Sequence, residues 1–107
     1  MAFTDSAKPY APTEGGRKFD SGKLRWSLFP SGTLTLILEI LEIGASKYAE
    51  DNWQQVPDSR KRYYNALMRH TEAWWSGEKV DPETGKLHMA HAACNVLFLL
   101  WLDKEGK

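Results

Sequence analysis

A chain of 107 residues suffices for one small domain, which buries only roughly 60–65% of its unfolded surface. Fourteen basic residues balance fourteen acidic ones, which excludes broad nucleic-acid binding driven by charge alone. The single cysteine, Cys94, excludes a disulfide framework or a cysteine zinc set. Met1 to Asp5 lack the start of a signal peptide, and the apolar run 96–101 is too short for a bilayer, so the expectation is a cytoplasmic protein with no membrane contact.

Residues 1–30 carry Pro9, Pro12, Gly15, Gly16, Gly22 and Pro30 with no helical period. They predict an extended N-terminal arm ahead of a helical domain spanning 31–107. Within the arm, Arg17, Lys18, Lys23 and Arg25 interleave with Phe19 and Trp26. That segment is either a solvated tail or an anion-contacting arm. Gly22-Lys23 is not a phosphate loop, because no glycine precedes it at the required spacing.

Pro30-Ser31 signals the start of a first helix over 31–48. There Leu34, Leu36, Ile37, Leu38, Ile40, Leu41 and Ile43 leave almost no polar face. Glu39 and Glu42, three apart, project from this apolar helix, either at a site or along a narrow solvated stripe. A polar connector, 49–57, holds one large aromatic, Trp53. Asp58 or Ser59 then caps a second helix to about Ser76, ended by Gly77. Its apolar stripe is Tyr63, Ala66, Leu67, His70, Ala73 and Trp74, so His70 faces inward.

The loop 77–86 offers three acids, Glu78, Asp81 and Glu83. Loops between rigid helices are favoured places for a site, yet this one lacks the twelve-residue calcium-loop pattern. The third helix, 86–103, is the most informative stretch. His88, His91 and Asn95 form one stripe at i, i+3, i+7 among Met89, Ala90, Ala92, Ala93, Cys94 and Val96 to Trp101. Polar groups in such surroundings cost about 1–3 kcal/mol each without a partner. They are therefore either satisfied core groups or members of a site. Packing the stripes inward predicts that Glu39, His70, His88, His91 and Asn95 converge, with the 78–83 loop at the rim. The sum is an all-α fold, a small bundle of three main helices with an extended arm. Helices this apolar exceed what one small chain can hide, so a homo-oligomer is expected to complete the bundle.

Taken in order, Lys18-Phe19-Asp20, Gly22-Lys23, Pro30, Glu39, Gly44-Ala45, Lys47-Tyr48, Asn52-Trp53, Arg69-His70, Ala73-Trp74, Gly77-Glu78, Asp81, Glu83, Gly85 and His88 through His91 to Asn95 resemble the phage-associated dATP/dGTP diphosphohydrolase N-terminal family. That family is linked to the all-α, MazG-like nucleoside-triphosphate pyrophosphatases. The resemblance implies hydrolysis of a deoxypurine nucleoside triphosphate to the monophosphate and pyrophosphate, with Mg²⁺ or Mn²⁺, in the host cytoplasm.

By that resemblance, Glu39 and Glu42, helped by Glu78, Asp81 or Glu83, hold the cation. Lys18, Lys23, Lys47 and Arg69 neutralise the phosphates. Trp53 or Trp74 stacks on the purine, with His70 and Asn95 as further substrate contacts. His88 and His91 act as ligands or as a proton relay. MazG-like enzymes carry a Glu-x-x-Asp where this chain has His88-x-x-His91. Either the loop acids complete the metal site, or the histidines bind base or phosphates, or catalysis is lost. The alternative function is a non-catalytic phage protein that sequesters a purine nucleotide, including a cyclic nucleotide immune signal.

Overall fold

A computed structural model describes residues 16–107, and the first half of the arm lies outside the described residues. The fold is all-α: α1 spans Thr33–Lys47, α2 Ser59–Trp75 and α3 His88–Glu105. Single 3₁₀ turns at Trp26–Leu28 and Asn52–Gln54 punctuate the segments before α1 and α2. No described helix is long and apolar enough to cross a membrane.

The helix starts differ from expectation in instructive ways. Instead of Ser31, the residue before α1 is Gly32, at φ 81°. The chain turns there because Thr33 donates both its N–H and its hydroxyl to the Pro30 carbonyl, at 3.3 and 2.7 Å. Asp58 precedes α2, but at φ 57° its side chain makes no capping hydrogen bond. α3 begins two residues later than expected because the backbone of Lys86 is already committed to a loop contact with Asp81.

Gly77, at φ 108°, closes α2 in a Schellman motif. Its N–H reaches Trp74 O at 3.0 Å and the Glu78 N–H reaches Ala73 O at 2.9 Å. The chain reverses there and runs into a tight loop. Asp81 N–H donates to Lys86 O at 2.8 Å, His88 N–H to Lys79 O at 3.0 Å, and Val80 pairs with Leu87 in a single antiparallel bridge. This loop folds back over the α2–α3 seam.

α2 and α3 run antiparallel, as the pairs along their seam show. His70 meets His88 and His91 at one end, Tyr63 meets Phe98 in the middle, and Arg60 meets Asp103 at the other. α1 packs against α3, where Cys94 Sγ approaches Ile37 O at 3.5 Å. The buried apolar set is small: Ala90, Ala92, Cys94 and Leu102, all on α3. No residue of α1 is buried, despite its apolar sequence, because its neighbour α3 covers one side of it.

A histidine cluster beside an open cleft

Two features share the α2–α3 seam. At the α2 C-terminal end, three histidines and the loop side chains form one hydrogen-bonded cluster. His88, buried, sits between two partners: its Nε2 lies 2.6 Å from Glu78 Oε1 and its Nδ1 lies 2.9 Å from His70 Nδ1. His70 in turn stacks on His91, with ring centroids 4.4 Å apart and planes 5° apart. His91 Nε2 lies 3.3 Å from Asp81 Oδ2 and 2.7 Å from Thr84 Oγ1.

Buried Asp81 is itself held from several sides. Its Oδ1 accepts the Glu83 N–H at 3.1 Å and its Oδ2 accepts the Thr84 hydroxyl at 3.1 Å. Burial works to raise its carboxyl, but those two donors and the nearby His91 and His70 hold it below the ordinary carboxylate value. His70 and His91 are pushed the other way. Burial lowers both imidazoles, helped at His70 by neighbouring His91 and opposed at each ring by Asp81. The cluster therefore pairs an ionised carboxylate with imidazoles whose lone pairs stay available near neutral pH.

The second feature is an open cleft of about 920 Å³ bounded by α1, the 49–57 connector, α2 and α3. Arg62 and Arg69 of α2, Glu42 of α1 and Asn95 of α3 line it, together with Trp53 and Tyr48. Tyr63 ties the connector in place, its hydroxyl donating to Trp53 O at 2.5 Å. Asn95 joins the two features: it lines the cleft while its Nδ2 donates to His91 O at 2.9 Å.

The structure thus brings His70, His88 and His91 together with Glu78 and Asp81, and places Asn95 one turn beyond them. Glu39 is not in that hydrogen-bonded group; it pairs with Lys86 at 3.4 Å. Glu42 faces the cleft, and Glu83 meets the cluster through its backbone N–H. No three of Glu39, Glu42, Glu78, Asp81 and Glu83 form a shared ligand group, whereas His70, Asp81 and His91 do, with one ligand atom from each within 4.8 Å of the others. Trp53 stacks on Phe98 at 4.7 Å, so one of its faces is already covered. Trp74 is exposed beside Trp75. Lys47 lies over the Tyr48 ring at 5.3 Å, and Lys18 and Lys23 are exposed in the arm.

Thr84 is the member that the sequence reading passed over. Its signal was the Asp-Pro-Glu-Thr-Gly turn at 81–85, in which an aspartate side chain caps the backbone two residues on.

What these features define is an all-α chain with a cluster of three histidines and two acids beside a ligand-sized cleft. Residues 13–107 match the family described as dATP/dGTP diphosphohydrolase, N-terminal, and the chain belongs to that family. Over 87 residues, 81% of its length, it is 37% identical to a dATP/dGTP diphosphohydrolase of Salmonella phage PMBT28. That stretch is 29% of the relative, so the chain spans less than a third of that protein's length. No solved structure matches it at a significant level.

Proposed function

We propose that this chain binds a deoxypurine nucleoside triphosphate in the cleft and hydrolyses it, with a divalent cation, to the monophosphate and pyrophosphate. The observation that carries the reading is the cleft itself. Its volume suits a small-molecule ligand, Arg62 and Arg69 line it, and it abuts a cluster of titratable groups through Asn95. The name of the phage relative supports the same substrate class.

Arg62 and Arg69 suit phosphate oxygens, which guanidinium recognises with paired, charge-assisted hydrogen bonds. Exposed Tyr48 supplies apolar surface for a purine, beside Trp53, which is itself packed between Phe98 and Trp101 at 4.7 and 4.8 Å. Asn95 spends its amide N–H₂ on His91 O, which leaves its Oδ1 as an acceptor for an exocyclic amine of the base. Lys18 and Lys23 of the exposed arm would add charge for the phosphates. A bound cation would offset charge on the attacking and leaving oxygens. Of Mg²⁺ and Mn²⁺, the second better matches a donor set that includes imidazole.

The test is to incubate the full chain with a panel of nucleoside triphosphates and Mg²⁺ or Mn²⁺, then separate the products. Deoxypurine monophosphate plus pyrophosphate is expected. Tight nucleotide binding with no pyrophosphate under any divalent cation would overturn hydrolysis in favour of sequestration.

A further inference from the structure

We infer that His70, Asp81 and His91 form a binding site for a first-row transition-metal ion, one that takes imidazole as readily as carboxylate and discriminates against Mg²⁺. The inference deepens the nucleotide reading, since the ion would lie beside the phosphates, but it stands on features that involve no nucleotide.

The first is donor chemistry. Two imidazoles and one carboxylate suit Mn²⁺, Fe²⁺, Co²⁺ or Zn²⁺, whereas Mg²⁺ prefers oxygen ligands and retained water. One ligand atom from each residue already lies within 4.8 Å of the others. Ligand atoms about 2.1 Å from a common ion sit about 3–4 Å apart. Seating an ion therefore draws the three inward by roughly an ångström and tilts the imidazoles out of their parallel stack.

The second feature is an outer layer of the kind that metal ligands require. With one proton on each ring, His88 Nε2–H donates to Glu78 Oε1, and His88 Nδ1 accepts from His70 Nδ1–H. That arrangement leaves the lone pair on His70 Nε2. Asp81 is oriented likewise, by the Glu83 N–H and the Thr84 hydroxyl. The third feature is rigidity: two ligands stand on packed helices and the third on a loop closed by its own backbone hydrogen bonds.

The experiment titrates the metal-free full chain, without nucleotide, with Co²⁺ or Mn²⁺. Binding is read by cobalt d–d absorption and calorimetry, with Mg²⁺ as competitor. One equivalent should bind, equimolar Mg²⁺ should not displace it, and His70→Ala, His91→Ala and Asp81→Asn should each weaken binding at least tenfold with unchanged circular dichroism. Glu78→Gln, acting through His88, should weaken it about tenfold.

For a variant that fails to fold, long-range ¹H–¹⁵N spectra of the wild type with Zn²⁺ replace it. The ring nitrogens of His70 and His91 should shift strongly, and those of His88 weakly. No binding, binding indifferent to the three ligand variants, displacement by equimolar Mg²⁺, or unmoved His70 and His91 resonances would each overturn the site. Metal binding without hydrolysis would leave it standing and sink the hydrolysis reading alone.

Discussion

Single residues in this chain divide cleanly by what surrounds them. Arg69 stands on α2 immediately before His70, but it lines the cleft while His70 stacks on His91 in the seam. The residue is exposed, so little of the fold depends on it. Arg69→Ala should therefore weaken deoxypurine triphosphate binding about tenfold, the scale of one charge-assisted contact, with the melting temperature unchanged. Equilibrium binding and a thermal melt, measured together, check both halves of the statement.

Cys94 behaves in the opposite way. Burial pushes its thiol up to about 11, so it stays neutral and shielded in the folded chain. It should react with a thiol reagent at pH 8 only after denaturant is added. Folding gains from the neutral thiol at and below the ordinary thiol value of 9.0, and loses that gain as pH rises toward 11. Denaturation midpoints across alkaline pH should fall over that window, and less so in Cys94→Ala.

At the scale of elements, the stop of α2 decides where the site goes. The Schellman motif at Gly77 reverses the chain, which sets Glu78 against His88 and carries Asp81 and Thr84 to His91. Gly77 holds φ 108°, where an L side chain is strained even though the space around it is open. Gly77→Ala should thus cost about 1–2 kcal/mol, read as a lower urea midpoint at constant slope. The wild-type loop contacts should loosen with it, seen as lost protection of the Asp81 and His88 amides in hydrogen exchange.

Helical period made much of this element structure legible beforehand. The three helices appear close to their expected ranges, with His88, His91 and Asn95 along one inward stripe and His70 facing them across the seam. Period says which residues of one helix share a face. It says nothing about which faces meet, and so Glu39 could be placed among the histidines although the fold pairs it with Lys86 instead.

For the whole molecule, the balance of apolar surface is the outstanding fact. Leu38 of α1 is 49% exposed and Leu100 of α3 is 60% exposed, while the buried apolar set consists of small residues and one leucine. With so little aliphatic surface covered among the described residues, the chain is expected to associate with a second copy. Light scattering coupled to size exclusion should show a dimer or larger assembly at micromolar concentration. Leu100→Asp should shift it to monomer with its helical circular dichroism retained. A wild type that is only monomeric under these conditions would sink the expectation.

Composition and period, which act along the chain, determined by themselves that the protein is helical, where its three helices lie and which polar side chains sit on apolar faces. The tertiary structure decided the partnerships. Glu78 went to His88 rather than to Glu39, Thr84 entered between Asp81 and His91, and Arg62 and Arg69 came to line a cleft together with the connector while Arg60 went to Asp103. The physical reason is that an imidazole buried on a helix needs some partner, a requirement written in the sequence. Which oxygen answers it depends on how a left-handed glycine turns the loop and on how α2 and α3 are aligned, and both are settled only when the helices pack.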